Sequence, residues 1–171
     1  MRGSFHISLT MTGLPCLMSN YIRPRRPGAC LFLTITLAQR GSTTLIDRID
    51  SLRRSVRASM ASRPFQIDAW VVLPDHMHCV WTLPDGDDAY AARVQSIKAR
   101  FSRDMPEGFR RASHVARREK GIWQRRFWEH HIRDTADYEN HIAYCWHNPV
   151  KHELVERVED WPYSSWHRDH A

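Results

Sequence analysis

The stretch Val71-Val72-Leu73-Pro74-Asp75-His76-Met77-His78-Cys79-Val80-Trp81 holds two runs of β-forming residues joined at Pro74-Asp75, a dipeptide suited to a tight turn. Side chains on a strand alternate between faces, so Met77, Cys79 and Trp81 share one side and His76 and His78 the other. The apolar set supplies a core face. Two imidazoles then stand together on the opposite face with no packing reason to be there, and such a pair suggests a metal, although hydrogen-bonded strand histidines give the same pattern alone.

Working outward, Phe65 to Leu73 reads as the strand before the histidine strand, and Ala29 to Leu37, bounded by Pro27-Gly28 and Gly41, as an earlier one. Between them Leu45, Ile49, Leu52, Val56 and Met60 recur at helical spacing. Beyond Leu83 the aspartates of Asp85-Gly86-Asp87-Asp88 offer caps for a second helix striped by Tyr90, Val94, Ile97, Phe101 and Met105. A Pro, Gly and charge-rich loop over 106–120 leads to a fourth strand over 122–132. Asp134 or Thr135 then caps a last helix that Asn148-Pro149 is expected to stop. The order βαββαβ plus a helix predicts an α+β, ferredoxin-like fold: one four-stranded antiparallel sheet, two helices on one face, and an additional C-terminal helix. Residues 1–20 read as a disordered N-terminal extension, with Met1 and Met18 as alternative starts, 21–149 as one domain, and 150–171 as a tail packed on it or contacting DNA.

The chain of 171 residues carries a net charge of +6, unevenly spread. Between Arg93 and Arg133, twelve Lys or Arg face four acids, so this zone alone exceeds the total. Phe101, Phe109, Trp123, Phe127 and Trp128 are interleaved with the cations, a mixture suited to phosphate contacts and to stacking on unpaired bases. Within it Arg117, Arg118, Lys120, Arg125 and Arg126 are the predicted DNA contacts, because they surround a loop too polar to bury. Cys16, Cys30, Cys79 and Cys145 form no CxxC and read as free thiols of a cytoplasmic protein. No apolar run is long enough to span a membrane.

The last helix adds Tyr144 and Asn148, four residues apart and therefore on one side of it. Laid on the open sheet face, it would present a phenol and an amide beside the two imidazoles. A tyrosine next to a metal can attack a phosphodiester and hold a DNA end as a phosphotyrosine ester. Tyr90 falls in a core stripe, Tyr21 and Tyr163 in terminal segments, and Tyr138 has Ile142 rather than an amide four residues on. The adjacent His130 and His131 point to opposite faces and cannot chelate together, so no metal is assigned to them or to His141.

These features resemble the REP-associated tyrosine transposases, relatives of the single-tyrosine insertion-sequence transposases. The phrases Val71 to His78, Gly121-Ile122-Trp123-Gln124-Arg125-Arg126-Phe127-Trp128-Glu129-His130, Asn148-Pro149-Val150-Lys151-His152 and Asp160-Trp161-Pro162-Tyr163-Ser164-Ser165 carry the likeness, which runs from about Tyr21 to Arg168. It implies an HUH endonuclease and strand-transferase that nicks and rejoins single-stranded DNA at REP-type palindromic hairpins with Mg²⁺ or Mn²⁺. By position, His76 and His78 are metal ligands, Asn148 the third ligand and Tyr144 the nucleophile that forms a 5′-phosphotyrosine. The assembly is expected to be a monomer or homodimer. Glu153 departs from the family pattern, standing where Gly is common after Lys-His. The alternatives are a non-catalytic nucleic-acid-binding protein that uses the same open sheet, and a domesticated REP-processing nuclease that does not transpose itself.

Overall fold

The computed structural model describes residues 25–108, 110, 115, 116 and 118–171. Arg117, Tyr21, Cys16 and the 1–20 segment lie outside them. Strands β1 (Cys30–Thr36), β2 (Gln66–Val72), β3 (His76–Thr82) and β4 (Trp128–His131) form one antiparallel sheet in the order β2-β3-β1-β4. Helices α1 (Thr44–Asp47) and α2 (Ile49–Ser62) follow β1, α3 (Tyr90–Ser102) follows β3, and α4 (Thr135–Lys151) follows β4. This is the ferredoxin-like α+β plan expected.

Alternation along the strands divides the apolar residues into two cores. Leu31, Leu33, Ile35, Met77, Cys79 and Trp81 face α2 and α3, where Leu52, Val56, Val94, Ile97 and Phe101 meet them. Phe32, Val71 and Val80 face the other way, and Ile142 and Cys145 of α4 cover them. Helix α4 therefore lies over β2 and β3 on the face that two helices alone would leave open. Burial pushes the Cys79 and Cys145 thiols up, so both remain protonated.

Three elements differ from the sequence expectation. The first helical stripe is interrupted at Arg48, whose φ of −116° and ψ of 27° separate α1 from α2. The fourth strand is shorter than 122–132: Trp123 bridges to Leu37 and the chain bends before β4 resumes the pairing at Trp128. Helix α4 passes through Pro149 to Lys151 instead of ending before it. Proline removes one N–H bond from a helix interior. Here only one turn follows, and it closes on His152 N–H to Asn148 O at 3.0 Å.

Past α4 the chain turns at Glu153 and runs back along the outer edge of β2. Val72 N donates to Tyr163 O at 2.9 Å, Ser165 N to Trp70 O at 2.7 Å, and the Trp161 indole N–H to Val72 O at 2.9 Å. An outer strand otherwise presents unpaired backbone groups, and these bonds occupy those of β2. A short helix, α5 (Trp166–Asp169), ends the chain.

Candidate active site on the second sheet face

His76 and His78 project from β3 toward α4, both buried, with ring centroids 5.0 Å apart. Each has its Nδ1 occupied. Asp75 Oδ1 lies 2.6 Å from His76 Nδ1, and the Thr34 hydroxyl on the neighbouring strand lies 2.9 Å from His78 Nδ1. A carboxylate can only accept, so His76 Nδ1 carries the proton and Nε2 keeps its lone pair. Asp75 is itself held by the Gly41 N–H at 2.7 Å and by Arg40 at 3.3 Å. Gly41 adopts φ 74°, a left-handed conformation that glycine reaches without Cβ strain.

Protonation follows from these surroundings. Burial is the main force lowering the pKa of His76, only partly opposed by Asp75. Burial also drives His78 down to about 3, with His76, His152 and Lys151 adding to it. Burial works to raise the Asp75 carboxyl, but the bonds from His76 and Gly41 outweigh it and leave the group below its ordinary value. At neutral pH the site thus holds two neutral imidazoles and one carboxylate behind them, the arrangement that orients histidines as metal ligands.

From α4, Tyr144 brings its ring to 5.3 Å from His78 and 5.6 Å from Phe32, and remains 39 % exposed. Lys151, seven residues on, sets its ammonium 5.1 Å from the Tyr144 ring centre. Asn148 is fully buried, and neither its side-chain oxygen nor its nitrogen has a hydrogen-bond partner among the described residues. An unpartnered buried amide is costly. Asn148 lies one turn of α4 from Tyr144, whose ring meets His78, and one turn from His152, whose ring meets His76, so its oxygen fits a third ligand to a divalent cation, and the donor set N, N, O suits such an ion. The His152 ring, 5.3 Å from His76, also borders the site and was not singled out in the sequence. Its position depends on the helix continuing through Pro149, which the proline signal hides.

A second cluster forms at the other end of α4. His130, Asp137 and His141 place one potential ligand atom each within 4.8 Å of one another. Asp137 Oδ2 accepts from His130 Nε2 at 2.8 Å, from Arg133 N at 3.0 Å and from Arg133 Nε at 3.2 Å. His141 Nδ1 donates to Asp137 O at 2.7 Å. Hydrogen bonding led by His130 holds the carboxyl well below its usual range, against the effect of burial. Arg133 supplies the positive charge here that an ion would supply at the other end. His131 points the opposite way, against Tyr90 in the helix-covered core.

The predicted DNA contacts sit apart from the histidine pair. Arg118, Lys120 and Arg125 line a groove between α3 and the 118–125 segment, together with Lys98 and Arg103, on the α2/α3 side of the sheet. The Lys120 ammonium there donates to the carbonyls of Arg103 and Met105 at 2.6 and 2.7 Å, and Arg125 pairs with Glu119 at 3.1 Å. Arg126 is exposed. Among the described residues, the other tyrosines are structural: Tyr90 is core, and Tyr138 and Tyr163 pack against the two cores.

No model of a known protein family matches the chain. It is 46 % identical over 154 residues to the REP-associated tyrosine transposase of Escherichia coli K12, covering 90 % of this chain and 86 % of that one. A Haemophilus influenzae relative given the same family description is also 46 % identical over 154 residues, covering 89 % and 88 %. Among solved structures, a REP-associated tyrosine transposase bound to a REP hairpin aligns with a TM-score of 0.77 at 45 % identity, over 89 % of this chain and 85 % of that one.

Proposed function

Because the chain belongs to the REP-associated tyrosine transposase family, we propose that it nicks and rejoins single-stranded DNA at REP-type hairpins through a 5′-phosphotyrosine on Tyr144. The observation that carries this reading is the meeting of the Tyr144 ring with the His76–His78 pair, with the buried, unpartnered Asn148 amide one turn along the same side of α4. A merely structural aromatic would need neither the imidazoles nor the amide.

His76 and His78, through Nε2, and Asn148, through its side-chain oxygen, would hold Mg²⁺ or Mn²⁺. Such an ion, when bound, polarises a phosphoryl oxygen and offsets the charge that grows in the transition state. Asp75 fixes the tautomer of His76, and Asp75 and Thr34 together hold the two rings in the orientation that ligation needs. The Tyr144 oxygen attacks the phosphorus, a Tyr–O–P bond forms, and the bond to the 3′-oxygen breaks. The phenolic proton leaves to solvent and the departing 3′-oxygen takes one up. Attack by a 3′-hydroxyl on the ester reverses these changes and regenerates the phenol. The Lys151 ammonium, over the ring at 5.1 Å from its centre, holds the aromatic by a cation–π contact.

Tyr144 is exposed enough to meet a strand of DNA, whereas Phe32 beneath it is 3 % exposed and forms the floor. Arg118, Arg125 and Arg126, with the expected Arg117, supply phosphate contacts away from the cleavage point. The test is to incubate the chain with a single-stranded REP hairpin and Mn²⁺ and to look for a denaturant-resistant protein–DNA conjugate. Tyr144→Phe should abolish the conjugate while hairpin binding persists. A conjugate that survives in this variant overturns the assignment.

A further inference from the structure

We infer that Trp128 is a stacking platform for an unpaired base flanking the phosphate that Tyr144 attacks, an inference that rests on the nicking chemistry proposed above. The register of the sheet places it. Thr34 is the cross-strand partner of His78 on one side and of Trp128 on the other, so the three residues form one row across β3, β1 and β4. All three project from the face that carries Tyr144, and the Thr34 hydroxyl already touches His78. Two strand spacings separate the indole from the histidine, about 10 Å. That is within the reach of a nucleotide whose neighbouring phosphate lies at the histidine pair.

Trp128 is built for such a role. It is 55 % exposed, the most exposed large aromatic among the described residues, and the next is Tyr144 itself. Its neighbours hold it without covering it. His130 lies parallel to it, with centroids 6.0 Å apart at 7°, and Phe32 meets it at 5.7 Å and 70°. His130 is in turn locked by Asp137 at 2.8 Å and stacked on His141 at 4.8 Å. The cluster at the start of α4 thereby acquires a purpose, since it braces the shelf on which the indole rests.

The surroundings favour a base over an apolar protein surface. Beside the exposed indole stand Thr34 and His130, and the largely exposed Arg133 pairs with the same Asp137 that holds His130, a setting that suits a π-face followed by a phosphate. Helix α4 lies over β2 and β3, so the β4 side of the site offers the uncovered approach. The basic groove beside α3 lies past the same edge, on the far side of the sheet. A strand that leaves the histidine pair across Trp128 heads toward it.

The test uses the full chain and a REP hairpin with unpaired flanks, in which each flanking base in turn is 2-aminopurine or an abasic site. The wild-type chain should quench 2-aminopurine at one flanking position. Trp128→Ala should lose that quenching and about tenfold in affinity, and Trp128→Phe should keep most of both. An abasic site at that position should weaken the wild type by a similar factor and the Ala variant no further. Unchanged quenching and affinity in Trp128→Ala overturn the inference, as does a loss of affinity that no abasic position reproduces. A wild-type conjugate at Tyr144 without Trp128-dependent quenching defeats the platform alone. Quenching without a conjugate defeats the nicking reading and leaves the platform standing.

Discussion

The two ends of α4 carry similar residues in opposite states. One stripe runs down the helix through Asp137, His141, Tyr144, Asn148 and Lys151, at alternate spacings of four and three that keep all five on one side. Near its start, His130, Asp137 and His141 satisfy one another, and the carboxylate accepts three N–H bonds at 3.2 Å or less. Near its end, the Asn148 amide has no such partner, and the two imidazoles spend only their Nδ1 atoms on neighbours. Residue type alone would rate the first cluster the better metal site. Hydrogen-bond accounting ranks them the other way, because a group whose partners are already in place has little left to give a ligand.

The sharpest way to break this comparison is to disarm one carboxylate at each end. Asp75→Asn should raise the Mn²⁺ concentration needed for half-maximal conjugate formation by about 10- to 100-fold. Asp137→Asn should leave that concentration unchanged and lower the thermal unfolding midpoint instead. If Asp137→Asn shifts the ion requirement as strongly as Asp75→Asn, the two ends are not different in kind.

A smaller effect is expected where satisfaction is most complete. Arg93 is 1 % exposed, and its guanidinium donates to Asp87 at 2.6 and 2.9 Å and to the carbonyls of Arg63 and Pro64. The hydrogen bond from Arg93 leads in lowering Asp87 to about 2, from an ordinary value of 3.8. The folded state thus holds the proton less tightly than the unfolded chain. The associated stability is complete above about pH 4 and is lost as the pH falls toward 2. Asp87→Asn should cost about 2 kcal/mol at neutral pH and flatten the acid limb of a stability curve measured by urea unfolding at stepped pH.

The smallest change concerns the turn that ends the helix. Glu153 N donates to Val150 O at 2.9 Å and Leu154 N to Pro149 O at 3.0 Å, the paired bonds of a Schellman cap, with Glu153 at the left-handed position, φ 56°. A residue with a Cβ is strained there. Glu153→Gly should raise stability by about 1 kcal/mol without altering the ion requirement, as measured by denaturant unfolding.

What could be read from the sequence follows from which rules are local. Period-two alternation put Met77, Cys79 and Trp81 on one face and the histidines on the other, and the four-residue spacing put Tyr144 and Asn148 together, because neither result depends on distant contacts. The resemblance singled out Glu153, where the structure finds the left-handed turn. The His130–Asp137–His141 cluster was hidden, since it joins a strand to a helix across a turn that no spacing rule describes. The same is true of the 163–165 segment hydrogen-bonded along β2 and of Lys151 and His152, which reach the site only because α4 survives its proline.

That survival has an electrostatic consequence. A helix carries partial positive charge at its first turn and partial negative charge at its last. The first turn of α4 receives the carboxylates of Asp134 and Asp137, and the last approaches the imidazole pair. Had the helix broken at Asn148, its negative pole would have stopped short. Carried on to Lys151, the backbone itself sets up a field that welcomes an anion at one end and a cation at the other.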